Sequence, residues 1–151
     1  MTVDQVEMSP LQLVRLVYTG IHVEPFIHHD ENGQELPPAT EFGEVDIACR
    51  TGIQQLPESK GEPPEYIVEV GIGISKEQVT EQRLPYVIDV SARGYFRLIG
   101  EVDPDKRDSI VEINGASLVT GALRELVADL TARCSYGTMT LPTLRFVPAA
   151  E

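Results

Sequence analysis

The sequence predicts an α+β fold, four strands followed by one long helix, in a single domain over residues 1–151. Three observations carry this. Apolar and polar residues alternate in four separate stretches, as half-buried strands require. Residues 119–134 then change to three- and four-residue apolar spacing, the mark of an amphipathic helix. Beyond Gly137 a short tail carries Met139, Leu141, Leu144 and Phe146 with neither period.

A globular chain of this length buries roughly 68–70% of the surface its unfolded form exposes, so a full core is within reach. The hydrophobic share of 42% and charged share of 24% are ordinary for a folded domain and argue against disorder. The formal net charge of -12, from 24 acidic and 12 basic residues, repels a phosphate backbone or an anionic membrane. No nucleic-acid partner is expected, and any electrostatically steered partner should be basic. No run reaches membrane-spanning length, and residues 1–7 lack a basic stretch followed by an apolar one. A cytoplasmic protein without membrane insertion is the expectation.

The first strand is expected over residues 11–24. Leu11, Leu13, Val17, Ile21 and Val23 fall on one face and Val14, Leu16 and Tyr18 on the other. Two apolar faces imply two coverings, the second from another subunit. Residues 25–40 hold turn chemistry in Asp30, Asn32-Gly33 and Pro37-Pro38, and fit a long crossing loop better than a tight hairpin. Val45, Ile47, Cys49 and Ile53 alternate with Asp46, Ala48 and Arg50 as a second strand with Cys49 inward. After a turn rich in Pro and Gly, Tyr66, Val68, Val70, Ile72 and Ile74 define the third strand. A polar turn precedes the fourth, in which Tyr86, Ile88, Val90, Ala92, Phe96 and Leu98 share a face and Gly94 marks a candidate bulge. Residues 103–109 read as a charged loop and 110–113 as a short apolar run. The helix, with Asn114 or Ser117 as candidate caps, presents Val119, Leu123, Leu126, Val127, Leu130 and Cys134 on one side and stops at Gly137.

Catalytic chemistry finds no foothold. In His28-His29-Asp30-Glu31 the adjacent side chains diverge, so a solvated loop is expected there and no metal. Gly71-Ile72-Gly73 lacks the third glycine of a dinucleotide fingerprint and lies inside a strand. Ser109, Ser117 and Ser135 lie in no nucleophile elbow, and the carboxylates are spread along turns. Cys49 and Cys134 have no CxxC spacing and are expected to be buried free thiols. Neither catalytic residues nor a cofactor are expected, which favours a binding protein over an enzyme.

The positive signal is apolar. Tyr136, Met139, Leu141, Leu144 and Phe146 crowd one irregular segment, while Phe26, Ile27 and Leu36 come from another. Two such segments beside a sheet bound a groove that suits client polypeptides, and methionine adapts its shape to varied partners. The doubly apolar first strand and the wide helix stripe predict a homo-oligomer, a tetramer, with Val14, Leu16, Tyr18, Leu123, Leu126 and Leu130 at its contacts.

Several of these stretches resemble the SecB and SecB-like protein-export chaperone family. They are Gln12-Leu13-Val14-Arg15-Leu16-Val17-Tyr18-Thr19 with Val23-Glu24, residues 66–75 and 86–98, and Leu123-Arg124-Glu125-Leu126 through Arg133 with Gly137-Thr138-Met139. The resemblance implies a four-stranded antiparallel sheet with a helix on one face. It further implies pairing through first strands and long helices into a dimer of dimers, and an ATP-independent holdase for unfolded or precursor proteins. Family members deliver clients to SecA through an acidic sheet surface, which makes Glu24 the implied SecA contact, while others serve one client such as an antitoxin. A small-molecule-binding helix-grip domain is the alternative of a different class. Two departures from the family accompany the resemblance: Gly20 stands where an acidic SecA-contacting residue is common, and residues 148–151 leave no room for the family's second C-terminal helix.

Overall fold

The computed structural model describes residues 5–39 and 45–147. Residues 1–4, Thr40 and 148–151, on which the readings of the N-terminus, the loop's end and the second helix rest, lie outside the described residues.

The frame is a four-stranded antiparallel sheet in the order β1–β6–β5–β4, with a helix against one face. Its strands are β1 (Leu11–Pro25), β4 (Ala48–Gln55), β5 (Glu65–Ile74) and β6 (Tyr86–Leu98). Two residue pairs, β2 (His28–His29) and β3 (Glu35–Leu36), form a separate miniature hairpin. The long crossing loop expected between the first strands thus contains the tight turn that the sequence reading set aside. Asp30 Oδ1 accepts from the amides of Asn32 and Gln34 at 2.8 and 2.9 Å, and Gly33 takes the left-handed conformation with φ 79°. That is turn chemistry which needs no alternation in the flanking residues.

The central strands β5 and β6 follow their alternation. Tyr66, Val68, Val70, Ile72 and Ile74 meet Tyr86, Ile88, Val90, Ala92, Phe96 and Leu98 in one buried layer. Each large apolar side chain buried there stabilises the fold by about 1.5–3 kcal/mol. Gly94 is not a bulge but a close approach. A Cβ built on it would sit 2.6 Å from Phe96 Cε2 and 2.8 Å from Val119 Cγ2, so its lack of a side chain lets the long helix lie down on the sheet.

The bulges lie in β1 instead. Register shifts between Leu13 and Arg15 and between Tyr18 and Gly20 each insert one residue, and each extra residue flips the alternation that follows. Directly opposed residues share a face, so Leu11, Leu13, Leu16, Tyr18, Ile21 and Val23, opposite Leu98, Phe96, Gly94, Ala92, Val90 and Ile88, all point to the helix side. Val17, opposite Arg93, points away. The two apolar faces read from strict alternation are one face, folded back on itself by two bulges. Cys49 does share the inner face with its partner Ile72, but every residue of β4 is exposed, so this thiol is not buried; Cys134 is half-buried. Val45 and Ile47 precede β4 and pack on the core without joining the strand.

Two polar stretches read as turn and loop are helical. α1 (Lys76–Gln82) is capped by Ser75, whose hydroxyl accepts from the Gln78 amide, and ends at left-handed Arg83. α2 (Pro104–Ile110) starts at Asp103, whose carboxylate accepts from the Asp105 amide, with Pro104 in the first turn. It runs through a π-helical turn, Val111–Gly115, into α3 (Ala116–Thr131). The helix therefore begins at neither Asn114 nor Ser117; Ser117 Oγ instead donates back to Ile113 O at 2.8 Å. Within α3, Ala116, Val119, Leu123, Val127 and Thr131 are buried against the sheet, while Leu126, and Cys134 just beyond the helix, pack half-exposed at the margin of the core. Close packing at Gly94, and at Gly115 where a Cβ would stand 2.9 Å from Val68 Cγ2, fills the space between sheet and helix that a helix-grip carrier would keep for a ligand.

Candidate functional site

The hairpin and the start of the tail approach each other at Glu35 and Tyr136, beyond the C-terminal end of α3, and the tail then runs back along the helix past Thr131 and Arg124. The β2–β3 hairpin is anchored by the Phe26 amide, which donates to Pro85 O at 2.9 Å, and by His28, whose Nε2 lies 2.7 Å from Leu84 O. His28 is thereby committed to a main-chain carbonyl and packs against Phe26 with the rings tilted by 60° and their centroids 4.8 Å apart. Asp30 is likewise committed to its own turn. Among the described residues no cluster of three or more His, Cys, Asp or Glu has the geometry to hold a metal ion.

The second segment follows α3. Tyr86 is buried in the sheet, yet its hydroxyl donates to Gly137 O at 2.6 Å and accepts from the Tyr136 amide at 3.2 Å. Burial raises the pKa of this phenol above its ordinary value. Thr131 Oγ1 donates to Val127 O at 2.6 Å and accepts from the Met139 amide at 2.8 Å. Arg124 closes a two-toothed grip on Leu141 O, from Nε at 3.1 Å and Nη2 at 3.0 Å. The hairpin and this tail meet at Tyr136. Its phenol pKa is raised by its partly enclosed setting first and then by the nearby carboxylate of Glu35 in β3.

These contacts sort the candidate client-binding residues. Phe26, Tyr136, Leu144 and Phe146 are half-buried at the rim of the core, Leu36 is half-buried on β3, and Ile27 is exposed. Met139 and Leu141, at 3% and 1% exposure, are inside the core of this chain, where they offer a client no surface while the tail stays in place. The structure places them there because the tail alternates like a strand, 139 and 141 inward and 140 and 142 outward, although among the described residues it pairs with no strand. What the sequence reading missed is the set of polar side chains holding that tail: Tyr86, Arg124 and Thr131. A tyrosine and a threonine at otherwise apolar core positions were the available signal, since a buried hydroxyl needs a partner.

The candidate oligomer contacts also divide. Val14 and Tyr18 are exposed and Leu16 half-exposed on β1, which is an edge of the sheet. Leu123 is fully buried beneath α3 and faces its own sheet, so it is unavailable to a second copy; Leu126 and Leu130 are half-exposed. Leu13 and Ile21 join the exposed set, as does Leu118 on α3.

On the face of the sheet away from α3 the charges nearly cancel. Cross-strand pairing puts Arg15, Arg50, Arg93 and Arg97 there with Glu24, Glu65, Glu69 and Asp89. Arg93 pairs with Glu69, Arg97 with Glu65 at 3.3 Å and Arg50 with Asp89 at 3.4 Å, while the Arg15 guanidinium lies over the Tyr95 ring. Glu24 is exposed and 3.2 Å from His22 Nε2. Between these pairs lies an open depression of about 340 Å³ that includes Thr19, Arg50, Gly71 and Ser91 in its lining.

Comparison with known proteins agrees with this architecture. No family model matches the chain. The protein-export protein SecB of Alcanivorax borkumensis is 28% identical over 86 residues, 57% of this chain and 54% of SecB, so the chain spans about half the length of the curated relative it matches. Among solved structures, a Mycobacterium tuberculosis SecB-like chaperone in complex with a ChAD peptide from an antitoxin aligns with a TM-score of 0.50. The alignment covers 91% of this chain and 93% of that one at 17% identity. A Streptococcus agalactiae protein of unknown function aligns with a TM-score of 0.51 and 12% identity, covering 87% of this chain and 96% of its own. The chain is thus similar in sequence to SecB over part of its length and shares the fold of the SecB-like chaperone.

Proposed function

We propose that the chain is an ATP-independent holdase of the SecB-like kind, acting in the cytoplasm and not as an enzyme. The observation that carries this is a pair of irregular apolar segments beside the sheet, the hairpin with Phe26, Ile27 and Leu36 and the tail with Tyr136, Leu144 and Phe146, which approach each other at Glu35 and Tyr136. Client polypeptides in a non-native state offer large apolar side chains. Burying each is worth about 1.5–3 kcal/mol, so a few contacts hold a client without trapping it. Copies pair through the β1 edge and then through the exposed side of α3, where Leu118, Leu126 and Leu130 lie, giving a dimer of dimers.

A specific observation favours a dedicated client, such as an antitoxin, over delivery to SecA. The outer sheet face carries four arginines against four carboxylates, so the acidity of the chain is concentrated elsewhere and Glu24 has little support as a dock for a basic tail. The relative solved with an antitoxin peptide has the same fold.

Suppression of aggregation of several unrelated denatured proteins, without nucleotide, tests the reading. Wild type is expected to protect, and the triple change Phe26→Ser, Ile27→Ser, Phe146→Ser to protect several-fold less while remaining folded. Absence of protection against every client and every antitoxin tested would refute holdase activity. Protection of one antitoxin alone would assign the dedicated role.

A further inference from the structure

The tail after α3 is bound to this protein as a foreign peptide would be. Among the described residues, no main-chain to main-chain hydrogen bond joins residues 138–147 to the rest of the molecule. What holds them is a row of side chains reading main-chain atoms: Tyr86 on Gly137 O, Thr131 on the Met139 amide and Arg124 on Leu141 O. Groups that grip only amides and carbonyls accept any sequence. The apolar selection lies in two buried sites spaced two residues apart, one filled by Met139 and one by Leu141.

The geometry points to a second binding site in this chain, beneath its own strap: a channel for an extended polypeptide bearing large apolar side chains at positions i and i+2, normally occupied by residues 137–147 and opened by exchange with a client. The inference rests on the holdase reading and deepens it. The strap supplies the occupant's chemistry directly, because the extended segment seated there already satisfies every contact named. Exchange replaces two buried side chains and a row of main-chain bonds with the same set from the client, so its equilibrium is set by competition rather than by net loss of contacts. The rim residues Phe26 and Tyr136, which lie outside the displaced segment, then hold one of the client's flanks, and Tyr86, Thr131 and Arg124 fix its register.

The probe is a fluorescein-labelled synthetic copy of residues 137–147 added to the full-length protein. Weak binding to wild type is expected, and binding roughly tenfold tighter to Leu141→Ala, in which the internal competitor has lost one large apolar contact while the channel is intact. Arg124→Gln should give no such gain, because it weakens strap and peptide alike. A peptide with serine in place of both Met139 and Leu141 should not bind. Hydrogen exchange on unmodified wild type supplies an independent measure: at saturating peptide, the chain's own Met139 amide should lose protection by roughly tenfold or more as the strap departs. Unchanged Met139 protection with peptide bound would overturn the proposal, and so would failure of Leu141→Ala to tighten binding. Absence of binding to both proteins would overturn it as well. If Leu141→Ala does not fold, the exchange measurement on wild type decides. Loss of this proposal with aggregation suppression intact would leave the holdase reading standing, with its clients confined to the rim.

Discussion

The two edges of the sheet offer the same backbone opportunity and opposite chemistry. β1 and β4 each pair with one neighbour and leave a row of main-chain groups unpaired. On β1 the exposed residues include Leu13, Val14, Tyr18 and Ile21, the last at 55% exposure, and two bulges turn its apolar residues toward the helix side. On β4 the sequence Ala48-Cys49-Arg50-Thr51-Gly52-Ile53-Gln54-Gln55 has one large aliphatic side chain, and Arg50 and Gly52 interrupt it. An edge with a charge and a glycine resists pairing with a further strand, whereas a long apolar edge invites it. The difference teaches that partner choice here is written in side chains, and it makes β1 the better suited edge for the proposed pairing of copies.

The largest expected effect breaks the sheet on which both edges depend. Gly94→Val places methyl groups where Phe96 and Val119 already touch, so the helix must lift. Denaturant melts should show a loss of about 3 kcal/mol or more, or no folded protein. Next is the double change Val14→Asp, Tyr18→Asp on β1, expected to drive the oligomer to monomers in light scattering at micromolar concentration, because two carboxylates would be buried without partners. Ile53→Asp on β4 should leave the mass unchanged. Equal responses from both edges would end the distinction. Leu126→Asp on α3 should split the tetramer to dimers and cost about 1–2 kcal/mol through its half-buried contacts with the core. The smallest effect belongs to the outer face: Arg50→Ala removes an exposed pair at 3.4 Å from Asp89 and should alter stability by less than about 1 kcal/mol.

How far the sequence could be read varies along the same lines. β5 and β6 were legible because both are central, covered by α3 and paired on both sides, so packing enforces strict alternation. β1 was legible as a strand but not in its faces. A bulge adds one residue without leaving a composition signal, and a period-2 reading then assigns every later side chain to the wrong side. α1 and α2 were hidden for a different reason. Val79 is the one buried residue of α1 and α2 has none, so neither shows an apolar stripe, although Asp103-Pro104 is a helix start that capping chemistry alone identifies. The candidate groove was half legible. Phe26, Leu36, Tyr136 and Phe146 were found from apolar crowding, but crowding does not separate a rim from a core, and Met139 and Leu141 fell on the core side once Thr131 and Arg124 had fixed the tail.

The central claim is that this chain assembles and then holds non-native polypeptide without nucleotide. The direct measurement is the mass of the species formed when one chemically unfolded, fluorescently labelled client is diluted into the wild-type protein without ATP, read by light scattering on a sizing column. The account predicts that the client co-elutes with an oligomer whose own mass is a multiple of the 16.7 kDa chain, and that the Phe26, Ile27, Phe146 triple serine variant elutes at the same oligomeric mass with little client bound. A wild-type monomer at 16.7 kDa, with the client aggregating or eluting apart from it, would contradict the account.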